Sequence, residues 1–148
     1  DEKAPWPKRP VMNKENPVNP DPLYPKNLGY RFLGYEFGEA RTPTFLYRAG
    51  EVEVRDRSLA VGLGEKTVLR RQLTFVAKAR QTLHFRLLTG EVERVDDRVF
   101  NNERLQVRLP DAGARVRSAP GGEGRELILK LDLPAGEKNL TLDYELLR

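Results

Sequence analysis

The sequence predicts an all-β protein, an antiparallel two-sheet β-sandwich that follows an extended proline-rich N-terminal arm. Three observations predict this fold. From Tyr30 onward apolar residues recur with a period of two, the period of half-buried strands. Turn residues divide that part of the chain into short segments, a spacing typical of sandwiches and, as the alternative, of barrels. Seven of the 11 prolines lie in the first 25 residues, which indicates an arm over residues 1–28 and a sandwich over residues 29–148.

The arm is predicted from its prolines and from the large apolar residues between them. Proline fixes φ and lacks an amide donor, so a proline-rich segment disfavours helices and internal strands. Trp6, Met12, Leu23 and Tyr24 are spaced through this segment, unlike the small polar residues of a flexible linker. We expect an ordered, extended arm that lies along its own domain or along another subunit; a disordered tail is the alternative.

The first three strands are expected to form a meander. Residues 30–37 are rich in aromatic residues, which favour strands. Residues 44–48 and 51–57 follow after glycine-containing turns, and the second of these segments alternates strictly, with Val52 and Val54 pointing inward. Three consecutive strands joined by short turns pair with one another in sequence order.

The aromatic residues of the first strand suggest that it is covered on both faces. Gly34 marks a bulge or a close backbone approach. Alternation through this glycine puts Phe32 on one face and Leu33, Tyr35 and Phe37 on the other. Apolar side chains on both faces are typical of a central strand, or of a strand that the arm covers.

Further strands are expected over residues 67–77, 83–87, 92–95 and 105–109, with a short edge strand at residues 115–117. Alternating leucines over residues 127–133 and apolar residues over 140–146 flank the turn Pro134-Ala135-Gly136. Two alternating segments on either side of a short turn predict a closing hairpin.

Composition excludes several classes of site. The chain has no cysteine, which excludes disulfides, zinc–cysteine sites, thiol nucleophiles and covalently attached haem on this chain. A single histidine leaves the usual catalytic triads incomplete. The net charge of +4 is distributed along the chain, which argues against nucleic-acid binding, and no apolar stretch is long enough for a membrane helix. We expect no catalytic residue, no metal site and no cofactor on this chain.

Two segments of the chain resemble a known family. Residues 24–37 read YPKNLGYRFLGYEF and residues 41–56 read RTPTFLYRAGEVEVRD, with looser similarity through residues 69–74, 83–86 and 142–145. The sequence of these segments resembles a region of large secreted bacterial proteins that combine c-type cytochrome domains with a sugar-dehydrogenase-like propeller. The resemblance implies an accessory β domain without catalytic residues, exported to the periplasm or the cell exterior, beside an electron-transfer partner. The Cys-x-x-Cys-His motif and the propeller of that family do not occur in this sequence, so any haem would belong to the partner.

We therefore expect a non-catalytic, exported sandwich that acts as a scaffold or docking subunit for a protein partner, which the resemblance implies to be a c-type cytochrome. Alternation turns His84 away from Leu83 and Phe85, toward the same face as Arg86. Imidazole and thioether groups can both bind haem iron, but one of each does not make a site here. The residues expected to contact the partner are Trp6, Met12, Leu23, Tyr24, His84 and Arg86.

A carbohydrate-binding module is the alternative function. Seven of the 12 tryptophan, tyrosine and phenylalanine residues lie between residues 24 and 47, and aromatic rings can stack against sugars. In this interpretation the glycan-binding residues are Tyr30, Tyr35 and Tyr47.

Overall fold

The fold is given by a computed structural model that describes residues 30–38, 41–120 and 124–147. Within these residues there are 11 strands and no helix, so the predicted all-β class is confirmed. The strands are β1 (Tyr30–Phe37), β2 (Pro43–Ala49), β3 (Val52–Leu63), β4 (Lys66–Ala77), β5 (Gln81–Gly90), β6 (Glu93–Arg94), β7 (Val99–Asn101), β8 (Leu105–Arg108), β9 (Ala114–Ser118), β10 (Arg125–Leu133) and β11 (Gly136–Leu146). The predicted arm, residues 1–28, and the expected start of the sandwich at residue 29 lie outside the described residues. No helix long and apolar enough to cross a lipid bilayer occurs in the described ranges.

The strands form two antiparallel sheets of unequal size. The larger sheet has eight strands in the order β1-β2-β3-β4-β11-β8-β7-β6, and the smaller has three in the order β5-β10-β9. Neither sheet is closed into a barrel, so the sandwich prediction is confirmed over the barrel alternative. The predicted meander is also confirmed, because β1 pairs with β2 and β2 with β3.

The core lies between the two sheets. Strict alternation buries one face of each central strand, as the sequence predicted. We call the face of the larger sheet that turns toward the smaller sheet its inner face. The inner face contributes Val52, Val54, Leu73, Phe75, Val107, Leu140 and Leu142, and the smaller sheet contributes Leu127, Leu129, Leu131 and Leu133.

The expected closing hairpin was wrong. Strand β10 pairs with β5 and β9, whereas β11 pairs with β4 and β8 in the other sheet. The short connection at Pro134 and Ala135 therefore crosses from one sheet to the other. Both strands have one largely apolar face, and such faces are buried equally well when they oppose each other across a core as when they lie side by side. Periodicity alone does not distinguish the two arrangements.

The β3–β4 hairpin is longer than the sequence indicated. We expected strands over residues 51–57 and 67–77 with a loop between them, but 12 residue pairs join the strands continuously to Leu63 and Lys66. Gly64 closes the turn with a φ of 62°, a conformation that glycine adopts without strain. The inward positions of β3 are buried up to Asp56 and become exposed at Ala60. The far half of this hairpin therefore extends beyond the smaller sheet.

Strand β1 contains a bulge. Phe32 pairs with Tyr47, whereas Gly34 pairs with Leu46, so Leu33 is an extra residue on β1. Gly34 has a φ of 126°, which a residue with a Cβ atom rarely adopts. Glycine at this position therefore permits the bulge.

The bulge changes the direction of the aromatic side chains and overturns their expected placement. Tyr35 pairs with Phe45, which shares its face with Tyr47, the partner of Phe32. Phe32 and Tyr35 thus lie on the same face, although simple alternation separated them. The other face of β1 has Arg31 and Glu36, and β1 is an edge strand whose faces are mostly exposed, not a covered central strand. The side chains now on the inner face are Tyr30, Phe32, Tyr35 and Phe37.

Candidate functional site

The inner face of the larger sheet is only partly covered, because three strands oppose eight. Its uncovered part begins at β1 and β2 and continues onto the far half of the β3–β4 hairpin. Phe32 and Phe37 are each 64% exposed, which is unusual for large apolar side chains that share one sheet face. We call this set the aromatic face; it consists of Tyr30, Phe32, Tyr35, Phe37 and Phe45.

The rings of the aromatic face are inclined to one another. Tyr35 and Phe37 have ring centroids 5.4 Å apart at an interplanar angle of 79°. Tyr35 and Phe45, which are cross-strand partners, have centroids 6.4 Å apart at 60°. Edge-to-face contacts of this kind stabilise an aromatic cluster. They do not produce the flat row of rings on which consecutive sugar units would stack.

The aromatic face ends at an open strand edge. Among the described residues, only β2 pairs with β1, so the other edge of β1 presents backbone amide and carbonyl groups to whatever lies beside it. An edge of this length is a template for a further strand, because an added strand satisfies those groups. The aromatic face and the open edge belong to the same strand and can be engaged together.

A cleft of about 1250 Å³ adjoins the aromatic face and shares Phe45 with it. Apolar side chains such as Leu69 and Leu146 form much of its wall, and both are exposed. The carboxylate of Asp56 and the guanidinium of Arg71 also line it. The cleft is therefore mainly apolar, with one charged pair in its lining.

That pair is the centre of a partly buried polar cluster. The Arg71 Nε donates to Asp56 Oδ1 at 2.9 Å, and its Nη2 donates to Oδ2. Tyr47 donates its hydroxyl proton to Asp56 Oδ2 at 3.2 Å. The Arg71 guanidinium also lies 5.2 Å from the centre of the Phe85 ring, a cation–π contact that reaches from the larger sheet to the smaller. The cluster therefore fixes the position of Asp56 within the wall of the cleft.

The electrostatics of the cluster do not favour acid–base chemistry near neutral pH. Burial, together with the charge of Asp56, raises the pKa of Tyr47 well above its usual range. Burial likewise raises the pKa of Tyr144, which lies beside Arg71. Burial acts to lower the pKa of Arg71, but the hydrogen bonds and the charge of Asp56 together outweigh burial and raise it above its usual value. All three groups keep their protons at neutral pH.

His84 and Arg86 lie on the side of the smaller sheet that faces away from the core. Their neighbour Phe85 packs against the core, so alternation directs these two side chains outward. Burial, with the positive charges of Lys130 and Arg117, lowers the pKa of His84. Arg86 lies 3.7 Å from the carboxylate of Glu126. The structure therefore places these two predicted contact residues together on the outward face of the smaller sheet, and the charge of Arg86 also acts on Tyr30 of the aromatic face.

The other predicted contact residues, Trp6, Met12, Leu23 and Tyr24, lie outside the described residues. The three tyrosines of the carbohydrate interpretation do lie on one face, the inner face of the larger sheet. Tyr47, however, packs partly against the core and uses its hydroxyl group on Asp56. Tyr35 is 59% exposed and Tyr30 is about half exposed, so of the three only Tyr35 presents most of its surface.

Sequence reasoning missed the pair of Asp56 and Arg71, although the signal was present. Asp56 occupies the next inward position of β3 after Val52 and Val54. Arg71 occupies the inward position of β4 before Leu73. A charged residue at an inward position of each of two neighbouring strands predicts a buried ion pair.

In the described part of the chain no three histidine, cysteine, aspartate or glutamate side chains are grouped so that they could hold a metal ion. In the comparisons with known proteins, no family model, no curated protein and no solved structure matches this chain.

Proposed function

We propose that this chain is a non-catalytic docking domain that binds a protein partner through its aromatic face and the open edge of β1. The observation that carries the proposal is the position of four β1 aromatics on an inner sheet face that the smaller sheet does not cover. Aromatic side chains are enriched at the energetic centres of protein interfaces.

The chemistry of the surface favours a protein over other ligands. The open edge of β1 offers alternating backbone donors and acceptors, a pattern that another polypeptide strand matches. Nucleic acid would require several cations beside the aromatic rings. Arg86, whose charge acts on Tyr30, also lies 3.7 Å from the carboxylate of Glu126, which offsets that charge. The inclined rings of Tyr35, Phe37 and Phe45 argue against the carbohydrate alternative. The partner best suited to this surface is a protein that presents an extended, apolar segment.

The buried carboxylates support a binding role over catalysis. Asp56 is held by Arg71 and Tyr47, and Glu126 is held by Arg117 at 2.6 Å. A carboxylate whose oxygens are already held by arginine or tyrosine side chains is poorly placed to exchange a proton with a substrate. The resemblance described above supports a more specific proposal. In it, the chain is an exported accessory subunit of an electron-transfer complex, and its partner is a c-type cytochrome.

The test begins with a tagged full-length chain, purified from cells of its native source, and mass spectrometry of the proteins that accompany it. An absorption scan of the same sample for a Soret band tests the cytochrome assignment. The partner is then purified and its dissociation constant is measured for the wild-type chain, for the double variant Phe32→Ala/Phe37→Ala, and for Arg31→Ala. Arg31 lies on the opposite face of β1 and serves as the matched control.

We expect the double variant to bind at least tenfold more weakly, since loss of an interface aromatic typically costs about 1–2 kcal/mol or more. Arg31→Ala should bind like the wild type. Equal affinity for all three chains would remove the aromatic face from the interface. Retention of the chain on polysaccharide, abolished by Tyr35→Ala, would instead support the carbohydrate alternative.

A further inference from the structure

The outward face of the larger sheet turns away from the smaller sheet and carries two closely spaced arginines on β3. Val54 and Asp56 are buried on the inner side of this strand. Alternation therefore directs Arg55 and Arg57 outward. Because two residues along a strand span about 7 Å, these two long side chains can converge on one group above the sheet.

Ion pairs flank the two arginines on the same face. Along β3, Glu53 accepts a hydrogen bond from Arg48 at 3.0 Å. Between β4 and β11, Asp143 accepts hydrogen bonds from Nε and Nη2 of Arg70, both at 2.8 Å. Each of these carboxylates therefore already has a cation of its own.

Arg55 and Arg57 have no such carboxylate. Neither forms an ion pair with any residue that the structure describes. Glu36 lies in the same row of the sheet as Arg57, but Thr44 separates them and the two backbones are about 10 Å apart. The described residues therefore leave two positive charges on this face without a bound anion.

Arg57 also has a hydrogen-bond donor that is not used. Its Nε atom is buried and donates to no acceptor in the described part of the chain. A buried donor without an acceptor is costly and rare in folded proteins, and an ion or ligand is one of the groups that can supply the acceptor. The side chain as a whole is only partly buried, so a change of rotamer can turn this atom toward solvent. An oxygen atom bound above β3 would satisfy it.

Neutral hydrogen-bonding side chains lie on both sides of Arg57. Thr44 on β2 and Gln72 on β4 are its cross-strand partners. Thr141 on β11 lies beyond Gln72 in the same row. Hydroxyl and amide groups can donate to anionic oxygens without adding charge. We call Arg55, Arg57, Thr44 and Gln72 the arginine patch.

We propose that the arginine patch binds a phosphate group, either as free phosphate or as a phosphate ester. A phosphate ester carries a charge of about −1.5 to −2 at pH 7 and three strong acceptor oxygens. This charge matches the two guanidinium groups, which bind phosphate oxygens in pairs. A carboxylate has one charge and two oxygens, so it would leave much of the patch unused. The site does not depend on the proposed function, because the aromatic face lies on the other side of the same sheet.

Isothermal titration calorimetry of the full chain tests the site, at neutral pH and low chloride concentration because salt screens the attraction. Inorganic phosphate, O-phospho-L-serine and acetate are titrated separately. The variants Arg55→Gln and Arg57→Gln each remove one guanidinium group from the patch. Arg31→Gln is the matched control, because it removes one positive charge from an exposed position on β1 of the same face. Circular dichroism establishes that each variant is folded.

We expect the wild-type chain to bind phosphate, and Arg55→Gln and Arg57→Gln each to weaken this binding at least about tenfold, since each loses charge-assisted hydrogen bonds. Arg31→Gln should bind like the wild type, and acetate should bind much more weakly than phosphate. A wild-type chain that does not bind phosphate would overturn the proposal, as would equal affinity for acetate.

Equal weakening in Arg31→Gln would also overturn it, because the attraction would then come from net charge alone. Tighter binding of O-phospho-L-serine than of inorganic phosphate would support the site and identify a phosphate ester as its ligand. The reverse order would support the site and identify free phosphate. None of these results depends on whether the aromatic face binds a partner.

Discussion

Replacing Asp56 by alanine is expected to lower the free energy of unfolding by about 2–3 kcal/mol. The substitution leaves the Arg71 guanidinium without its carboxylate and the Tyr47 hydroxyl group without its acceptor. Breaking a fully buried ion pair costs about 3–5 kcal/mol. Here the Arg71 side chain is 28% exposed and Asp56 is 12% exposed, so water partly compensates the stranded cation and the loss lies below that range.

Urea denaturation followed by circular dichroism measures this loss. With an m value of about 2 kcal/mol per molar urea, the midpoint should fall by about 1–1.5 M. Glu53→Ala is the matched control. Glu53 lies on the same strand and pairs with Arg48 at 3.0 Å, but both side chains are about half exposed, at 52% and 44%. Its loss should cost less than about 0.5 kcal/mol.

The double variant Asp56→Leu/Arg71→Met separates the cost of a stranded charge from the value of the pair. Two apolar side chains of similar volume leave no unpaired charge, so this variant should recover most of the stability lost in Asp56→Ala. If Asp56→Ala were no more destabilising than Glu53→Ala, the pair would not be buried in the way described. If the double variant were less stable than Asp56→Ala, the ion pair itself would be the stabilising element.

Three further outcomes follow from burial, backbone geometry and ionisation. In the same urea assay, Phe75→Ala should lower the free energy of unfolding by about 3–5 kcal/mol because Phe75 is 1% exposed, whereas Phe37→Ala should lower it by less than about 0.5 kcal/mol. Equal losses of stability in the two variants would show that the aromatic face is covered. Gly34→Ala forces a residue with a Cβ atom to a φ of 126° and should cost about 1–3 kcal/mol, while Gly62→Ala, at an open position of ordinary φ, should be nearly neutral. The pKa of Tyr47 is raised in the folded state. The protonated hydroxyl group therefore contributes its full stabilisation below pH 10.0, the usual pKa of tyrosine, and this stabilisation is lost as the pH rises above that value. Urea midpoints measured from pH 8 to 12 should fall on the alkaline side for the wild-type chain and fall less steeply for Tyr47→Phe.

Alternation in the sequence predicted most of the strands and the core, because burial of one strand face imposes a period of two on the residues themselves. Val52 and Val54 were expected to point inward, and both are buried. Pairing between strands leaves a much weaker signal. β10 and β11 flank a short turn and alternate in the same way, yet they belong to different sheets. Only the relative position of the two sheets decides between a hairpin and a crossing connection.

The candidate site depended on one residue that sequence periodicity could not place. Gly34 was predicted to mark a bulge or a close backbone approach, but a bulge also shifts the phase of alternation for every residue after it. Without that shift, alternation places the aromatic residues of β1 on two different faces, which is the pattern of an ordinary strand buried in a core. With it, Phe32 and Phe37 share one open face. Asp56 was missed for a different reason, because an acidic side chain at an inward position was not considered together with Arg71.

The open edge of β1 predicts how the isolated chain behaves. Soluble proteins usually protect such edges with lysine, proline or short strands, and residues 30–37 contain neither lysine nor proline. The bulge, which often protects an edge, here brings aromatic side chains onto one face. We therefore expect the isolated chain to self-associate as its concentration rises, and Phe32→Ala/Phe37→Ala to reduce this association while Arg31→Ala does not. Sedimentation velocity over a concentration series measures the effect. A wild-type chain that stays monomeric throughout would mean that the edge is already covered within the molecule.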